Sequence, residues 1–242
     1  MSQKDTLFRQ QIMEPGDFVF DERVVRVFPD MINRSVPGYG LTVPMIGMLA
    51  RRYAQAGTTI YDLGCSLGAV SLAIRQAVPD EDVKLIAVDN SPQMVVRFQQ
   101  LLSQQIDVPP IEIVKGDIRD MVIRDASVVV LNFTLQFVDP SDRPLLLQRI
   151  AKGLRPGGAL ILSEKICFPD PKEQKSQTDW HHDFKRSQGY SELEIARKRD
   201  ALEDVLKPET ATNHLDRLRR AGFSEVYSWF RCFSFTSFIA IR

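Results

Sequence analysis

Residues 58–70, TTIYDLGCSLGAV, constrain the fold of this chain more than any other stretch. An apolar run rich in β-branched residues ends at Asp62, and a Gly-x-x-x-Gly loop from Gly64 to Gly68 follows at once. Apolar residues then recur at helical spacing through Ala69, Val70, Leu72, Ala73 and Ile74. That order is a strand, a tight loop and a helix N-terminus, whose first N–H groups have no partner within the helix. The glycines do not match the G-x-G-x-x-G of dinucleotide folds. Asp62 would also repel a pyrophosphate, so a ligand carrying positive charge suits the junction better.

Strand and helix patterns alternate over residues 58–167. VKLIAVDN (83–90), IEIVKGD (111–117), SVVVLNFTL (127–135) and ALILSEKIC (159–167) read as strands. SPQMVVRFQQLLSQQ (91–105) reads as a helix capped by Ser91 with Pro92 in its first turn. SDRPLLLQRIAKGL (141–154) is a second helix, which the run Arg155-Pro156-Gly157-Gly158 breaks. Such βαβ alternation predicts a doubly wound α/β domain, a mostly parallel sheet with helices on both faces. Residues 209–223 read as a late helix, and EVYSWFRCF (225–233) and FTSFIAIR (235–242) as strands joined almost without a linker. So short a connection requires an antiparallel pair. The expectation is one domain over 1–242. Residues 1–50 would form a lid over the ligand edge, and 168–208 a polar insertion holding one helix-like run, SELEIARKRDALEDVL.

Lysine plus arginine equal aspartate plus glutamate at 31 each, so no global field draws the chain to nucleic acid or an anionic membrane. No apolar run reaches the roughly 20 residues of a membrane helix. MSQKDTLFRQQ lacks the apolar core of a signal peptide, and the cysteines Cys65, Cys167 and Cys232 are odd in number and widely spaced. They read as free thiols, and a cytoplasmic location is expected.

Parallel α/β sheets bind ligands at the carboxyl ends of their strands. The first end offers Asp62, Gly64, Cys65 and Ser66. The second offers Asp89 and Asn90, where an acid can accept both ribose hydroxyls. The third offers Asp117 and Ile118, suited to the edge and face of an adenine, and the fourth Asn132. Any one of these could be a turn or cap residue. Four in register point to one ligand, and S-adenosyl-L-methionine (SAM), a nucleoside with a sulfonium and an ammonium, fits the acids.

YDLGCSLG, AVDNS, GDIRD and LNFTLQF together resemble the class I SAM-dependent methyltransferases, with their seven-stranded, mostly parallel Rossmann-like sheet and antiparallel last strand. FDERVVRVFPDMINRSVPGYG, LSEKICF and HHDFKRSQGYSELEIARKRD carry a narrower resemblance, over nearly the whole chain, to the carboxy-S-adenosyl-L-methionine synthase family. That resemblance implies conversion of SAM and prephenate to carboxy-SAM and phenylpyruvate, without methyl transfer. The sulfonium methyl is deprotonated and captures the carbon dioxide that prephenate releases. It further implies a homodimer without a metal, whose product goes to a tRNA carboxymethyltransferase for wobble-uridine modification. SAM contacts carry over to Tyr39, Gly64, Cys65, Ser66, Asp89, Asn90, Asp117, Ile118, Asn132 and Arg199. Arg199 is implied as the catalytic carboxylate clamp, reaching in from a partner subunit.

From the residues alone, Arg199 lies in the charged run ARKRD, where a solvated helix face is the simpler reading and nothing separates it from Arg197 or Lys198. Asn132-Phe133-Thr134-Leu135-Gln136-Phe137 lacks the Asn/Asp-Pro-Pro-Tyr pattern of amino-group methylation and offers no evident base. A product with a new carboxylate and a co-substrate with two more call for fixed cations. His181 and His182 are adjacent, point differently on a helix and have no third ligand, so they read as structural. Cys65 is expected to offer backbone rather than thiol, and His214 to lie on the surface. Methyl transfer on the same fold and a SAM-binding scaffold remain the alternatives.

Overall fold

A computed structural model describes residues 4–7, 21–79, 82–106, 108–202 and 205–242. Its frame is a sheet of β1 (Thr59–Leu63), β2 (Lys84–Asp89), β3 (Glu112–Lys115), β4 (Ala126–Asn132), β5 (Leu154–Cys167), β7 (Glu225–Cys232) and β8 (Phe235–Ile241). The order across the sheet is β3-β2-β1-β4-β5-β8-β7, parallel except for β8, which runs antiparallel to both neighbours. A two-residue β6 (Glu209–Thr210) pairs with the end of β5 beyond this path.

The central strands are apolar on both faces because helices cover both. Tyr61, Leu63, Val129, Leu131, Leu160 and Leu162 face one core with α5 (Arg143–Gly153) and α8 (Ala211–Ala221). The alternate residues Ile60, Val128, Val130 and Ile161 face the other with α2 (Tyr39–Tyr53) and α3 (Ala69–Ala77). This is the two-sided burial that a parallel sheet demands. α4 (Pro92–Leu102) begins as expected, with the Ser91 hydroxyl accepting the Met94 N–H. α1 (Glu22–Ser35) starts on the Asp21 side chain and packs Val24, Val25 and Met31 against Met94 and Leu67. The part of the N-terminal segment over 1–3 and 8–20 lies outside the described residues.

Several boundaries differ from the sequence reading. The 155–158 run ends α5 but does not separate it from the strand; β5 begins at Leu154, and its register against β4 shifts before Val128 meets Ala159. The Pro-Gly-Gly turn is a bulge in the strand, where the Gly157 N–H donates to the Arg242 carbonyl. β4 stops at Asn132, because Phe133 takes φ 59° and a short 3-10 turn, Leu135–Phe137, follows. The insertion holds two helices, α6 (Pro171–Ser187) and α7 (Glu192–Leu202). α6 has no apolar stripe to betray it: the residues it buries are Gln177, His181 and Lys185, at helical spacing but all polar. His214 is not on the surface. It is 1% exposed and stacked on Phe238, since it shares the buried phase of α8 with Leu218.

Candidate functional site

At the carboxyl edge of the sheet, where β1 lies between β2 and β4, a cavity of about 860 Å³ opens. Tyr39, Gly64, Cys65, Ser66, Asp89 and Asn90 line it, as do Asp117, Ile118 and Asn132. Arg199 does not. On the single chain its side chain is 62% exposed and paired with Asp200.

The β1–α3 loop is shaped by positive φ angles at Gly64 and Ser66, and the Ser66 N–H donates to Asp89 Oδ2 at 2.8 Å. Asp89 Oδ1 accepts the Ser91 N–H at 2.9 Å, so one carboxylate ties the loop to the start of α4. Burial raises its pKa against these hydrogen bonds. Asp117 is instead held below the ordinary carboxylate range by hydrogen bonds from the Arg119 side chain. Burial pushes the Cys65 thiol far up, with Asp62 and Asp89 adding to it, so the sulfur is an inert neighbour of the ligand loop.

Asp62 is 1% exposed and accepts the Ser71 hydroxyl at 2.5 Å. Burial, opposed by Ser71 and augmented by Asp89, raises its pKa to about 7. Asn132 Oδ1 is buried with no hydrogen-bond partner among the described residues. A half-neutralised carboxyl and an orphaned acceptor in one cavity fit a cationic nucleoside such as SAM, which would satisfy both. Such binding ionises Asp62. SAM titrated at pH 6 should therefore release a proton, so the heat should vary with the ionisation enthalpy of the buffer, and affinity should rise with pH up to about 7. Asp62→Asn should abolish the buffer dependence; if it persists, Asp62 is not the group that releases the proton.

The opposite half of the cavity was not legible residue by residue. Lys165 from the end of β5, His181 and Lys185 from α6, and Lys198 from α7 line it. Burial lowers all four: Lys185 to about 7, with Lys198 and Lys165 adding to the effect, Lys198 to about 8, and His181 to about 2. The Lys198 ammonium donates to Ser35 Oγ at 2.6 Å. His181 Nε2 lies 2.8 Å from the Ser35 carbonyl and must donate to it, which places the proton of the neutral ring on Nε2. Phe235 pairs in register with Lys165, and His181 and Phe133 meet its ring edgewise at 4.9 and 5.9 Å. The available signal was ILSEKIC, a core strand carrying an adjacent Glu164 and Lys165, which a doubly covered strand does not carry without cause. No three His, Cys, Asp or Glu side chains among the described residues form a metal ligand set. No helix among them is long and apolar enough to cross a membrane.

The methyltransferase domain family matches residues 60–158. Over its whole length the chain is 52% identical to the carboxy-S-adenosyl-L-methionine synthase of Salmonella paratyphi C (strain RKS4594), covering 98% of that protein. The synthase of the same name from Escherichia coli O1:K1 / APEC is similar to the same extent, 52% over the whole chain and 98% of its own length. Among solved structures, an O-methyltransferase family protein from Burkholderia thailandensis superposes with a TM-score of 0.64 at 19% identity. The match covers 92% of this chain and 60% of that one, and at this identity it speaks for the fold alone.

Proposed function

This chain belongs to the carboxy-S-adenosyl-L-methionine synthase family, and from that premise we propose that it converts SAM and prephenate to carboxy-SAM and phenylpyruvate. The observation that carries this reading is a single cavity with acids on one half and buried cations on the other. Asp62 and Asp89 receive the positive nucleoside; the lysine half receives carboxylates. Bound SAM supplies a methyl group acidified by its sulfonium, while prephenate supplies carbon dioxide as it loses its ring hydroxyl and aromatises, the methyl proton leaving with that hydroxide as water. This balance needs no separate protein base. Tyr39 and the segment 21–36 close over the amino-acid end of SAM as a lid, and Arg199 enters from a second copy in a homodimer to hold the new carboxylate. The product is a carboxymethyl donor for a tRNA enzyme acting on the wobble uridine.

Incubation with SAM and prephenate, followed by mass measurement of the nucleoside, tests the reading. A nucleoside heavier than SAM by the mass of one carbon dioxide supports it. Accumulation of S-adenosylhomocysteine overturns it in favour of methyl transfer.

A further inference from the structure

The lysine half of the cavity is costly to build. Lys185 and Lys198 are 8% and 5% exposed, and a buried ammonium without a counter-charge opposes folding. Lys198 has a local explanation: it bonds Ser35, lies over the Tyr190 ring, and feels the carboxylates of Asp5 and Asp30. Lys165 and Lys185 have none. Neither ammonium meets a carboxylate or a hydrogen-bond acceptor among the described residues, and the charges that act on Lys185 are the other two lysines. Three successive elements, β5, α6 and α7, each deliver a cation to one wall. Surface helices rarely arrange this, since like charges brought together repel.

The aromatic surroundings narrow the ligand. Phe133, Phe235 and His181 form a continuous edge-to-face wall beside Lys165. Phe133 occupies it at a positive φ, a strained backbone for a bulky residue, held by its N–H donating to the Ser163 carbonyl at 2.8 Å. The end of β5 is itself fixed by the Lys165 N–H donating to Gln136 Oε1 at 3.0 Å.

We propose that Lys165 and Lys185 are the carboxylate-binding pair of a second subsite in this cavity, which takes a ring-bearing dicarboxylate against the Phe133–Phe235–His181 wall. The assignment rests on the carboxylation reading and supplies the residues that would hold its co-substrate. One carboxylate faces each lysine, and the ring packs on the aromatic wall. The acidic half holding the nucleoside and the basic half holding the dianion then bring opposite charges together across the same cavity. The lowered lysine pKa values fit this arrangement, because a dianion would offset the burial that lowers both lysines and the repulsion that adds to it at Lys185.

The test is calorimetric titration of prephenate, and separately of phenylpyruvate with its single carboxylate, into protein saturated with S-adenosylhomocysteine. That ligand fills the nucleoside half without allowing turnover. Lys165→Met and Lys185→Met should each weaken prephenate binding by about tenfold or more, with SAM affinity changed by less than about twofold. Lys185→Arg should recover most of the loss. Phenylpyruvate should bind more weakly than prephenate and respond chiefly to one of the two lysines. Both Met variants should melt no lower than the parent, since an apolar side chain replaces an unpaired cation that is buried at Lys185 and half-buried at Lys165. Prephenate binding unchanged in both Met variants overturns the subsite. Equal loss of SAM and prephenate, with a lower melting temperature, also overturns it, by showing a packing role. The two readings fail separately. Lysine-dependent binding without carboxy-SAM formation leaves the subsite and removes the carboxylation reading; carboxy-SAM formation with a lysine-independent KM does the reverse.

Discussion

Gly68→Ala should melt about 10 °C below the parent and bind SAM at least about tenfold more weakly. Gly68 sits between the ligand loop and α3 with φ +82°, and a Cβ built there would lie 2.0 Å from the Phe98 ring. Phe98 is fully buried in the core under α3, so the ring has no space to retreat into. Two costs add. The left-handed backbone costs an alanine about 1–2 kcal/mol, and overpacking a closed core costs about 1–3 kcal/mol more. The affinity loss follows from position. The Gly68 N–H closes the loop onto the Cys65 carbonyl, and its own carbonyl accepts the Leu72 N–H, so any displacement moves the Ser66 N–H and the helix start together. Gly57 provides the control. Its φ is +69°, but a Cβ there meets nothing within 4 Å, so Gly57→Ala should show only the backbone cost, about 1–2 kcal/mol, and normal SAM binding. Thermal melts and calorimetry on both variants decide the matter: equal behaviour of the two would remove the steric argument.

The same contrast explains what could be read from the sequence. The nucleoside half is local: its polar residues lie at or just beside strand ends, and the first two loops lead straight into helices, so spacing alone places Asp62, Asp89 and Asn132 at one edge. The cation half is assembled from Phe133, Lys165, His181, Lys185, Lys198 and Phe235, and only the packing of α6 and α7 over the edge brings these together. Part of it was still legible. In ARKRD nothing chemical separates Lys198 from Arg199, but the helix phase does. Ile195 and Ala201 are the buried apolar residues of α7, and Lys198 lies midway between them at three-residue spacing. Arg199 falls on the outward side, paired with Asp200. His214, which precedes Leu218 by one turn, was misplaced for the same reason. A polar residue at a buried phase was read by its type rather than its position. Such residues are the ones a fold keeps for a site or an internal network.

Arg143 belongs to such a network, and Arg143→Met should lower the melting temperature by about 10 °C, a loss of about 3–5 kcal/mol. Its side chain is fully buried yet carries a permanent charge. Nε donates to the Val138 carbonyl at 2.9 Å, Nη2 to the Lys207 and Gln136 carbonyls at 2.9 and 3.3 Å, and Nη1 pairs with Glu209. Methionine fills the volume but leaves the Val138 and Lys207 carbonyls and part of a carboxylate without their donor, each at the cost of a buried orphan, while the Gln136 carbonyl keeps the Lys207 N–H. Glu209 keeps Arg217, so the ion pair alone does not set the loss; the carbonyls do. Arg143→Lys should not rescue, because one ammonium cannot reach acceptors in three directions. Arg119 bonds two carboxylates, Asp117 and Asp142, but with half its side chain exposed, and Arg119→Met should hardly move the melting temperature. The consequence for the site follows the same bonds. Arg143 holds the Gln136 carbonyl, Gln136 holds the Lys165 N–H, and the Lys207 N–H donates back to Gln136 at 3.0 Å. Loosening this knot should therefore weaken prephenate binding more than SAM binding, since among the described residues the nucleoside loop on β1 and β2 has no hydrogen bond to it. An Arg143→Met protein that melts near the parent would show that the 136–143 turn stands without its arginine, and equal loss of both ligands would show that the knot does not act on the lysine half alone.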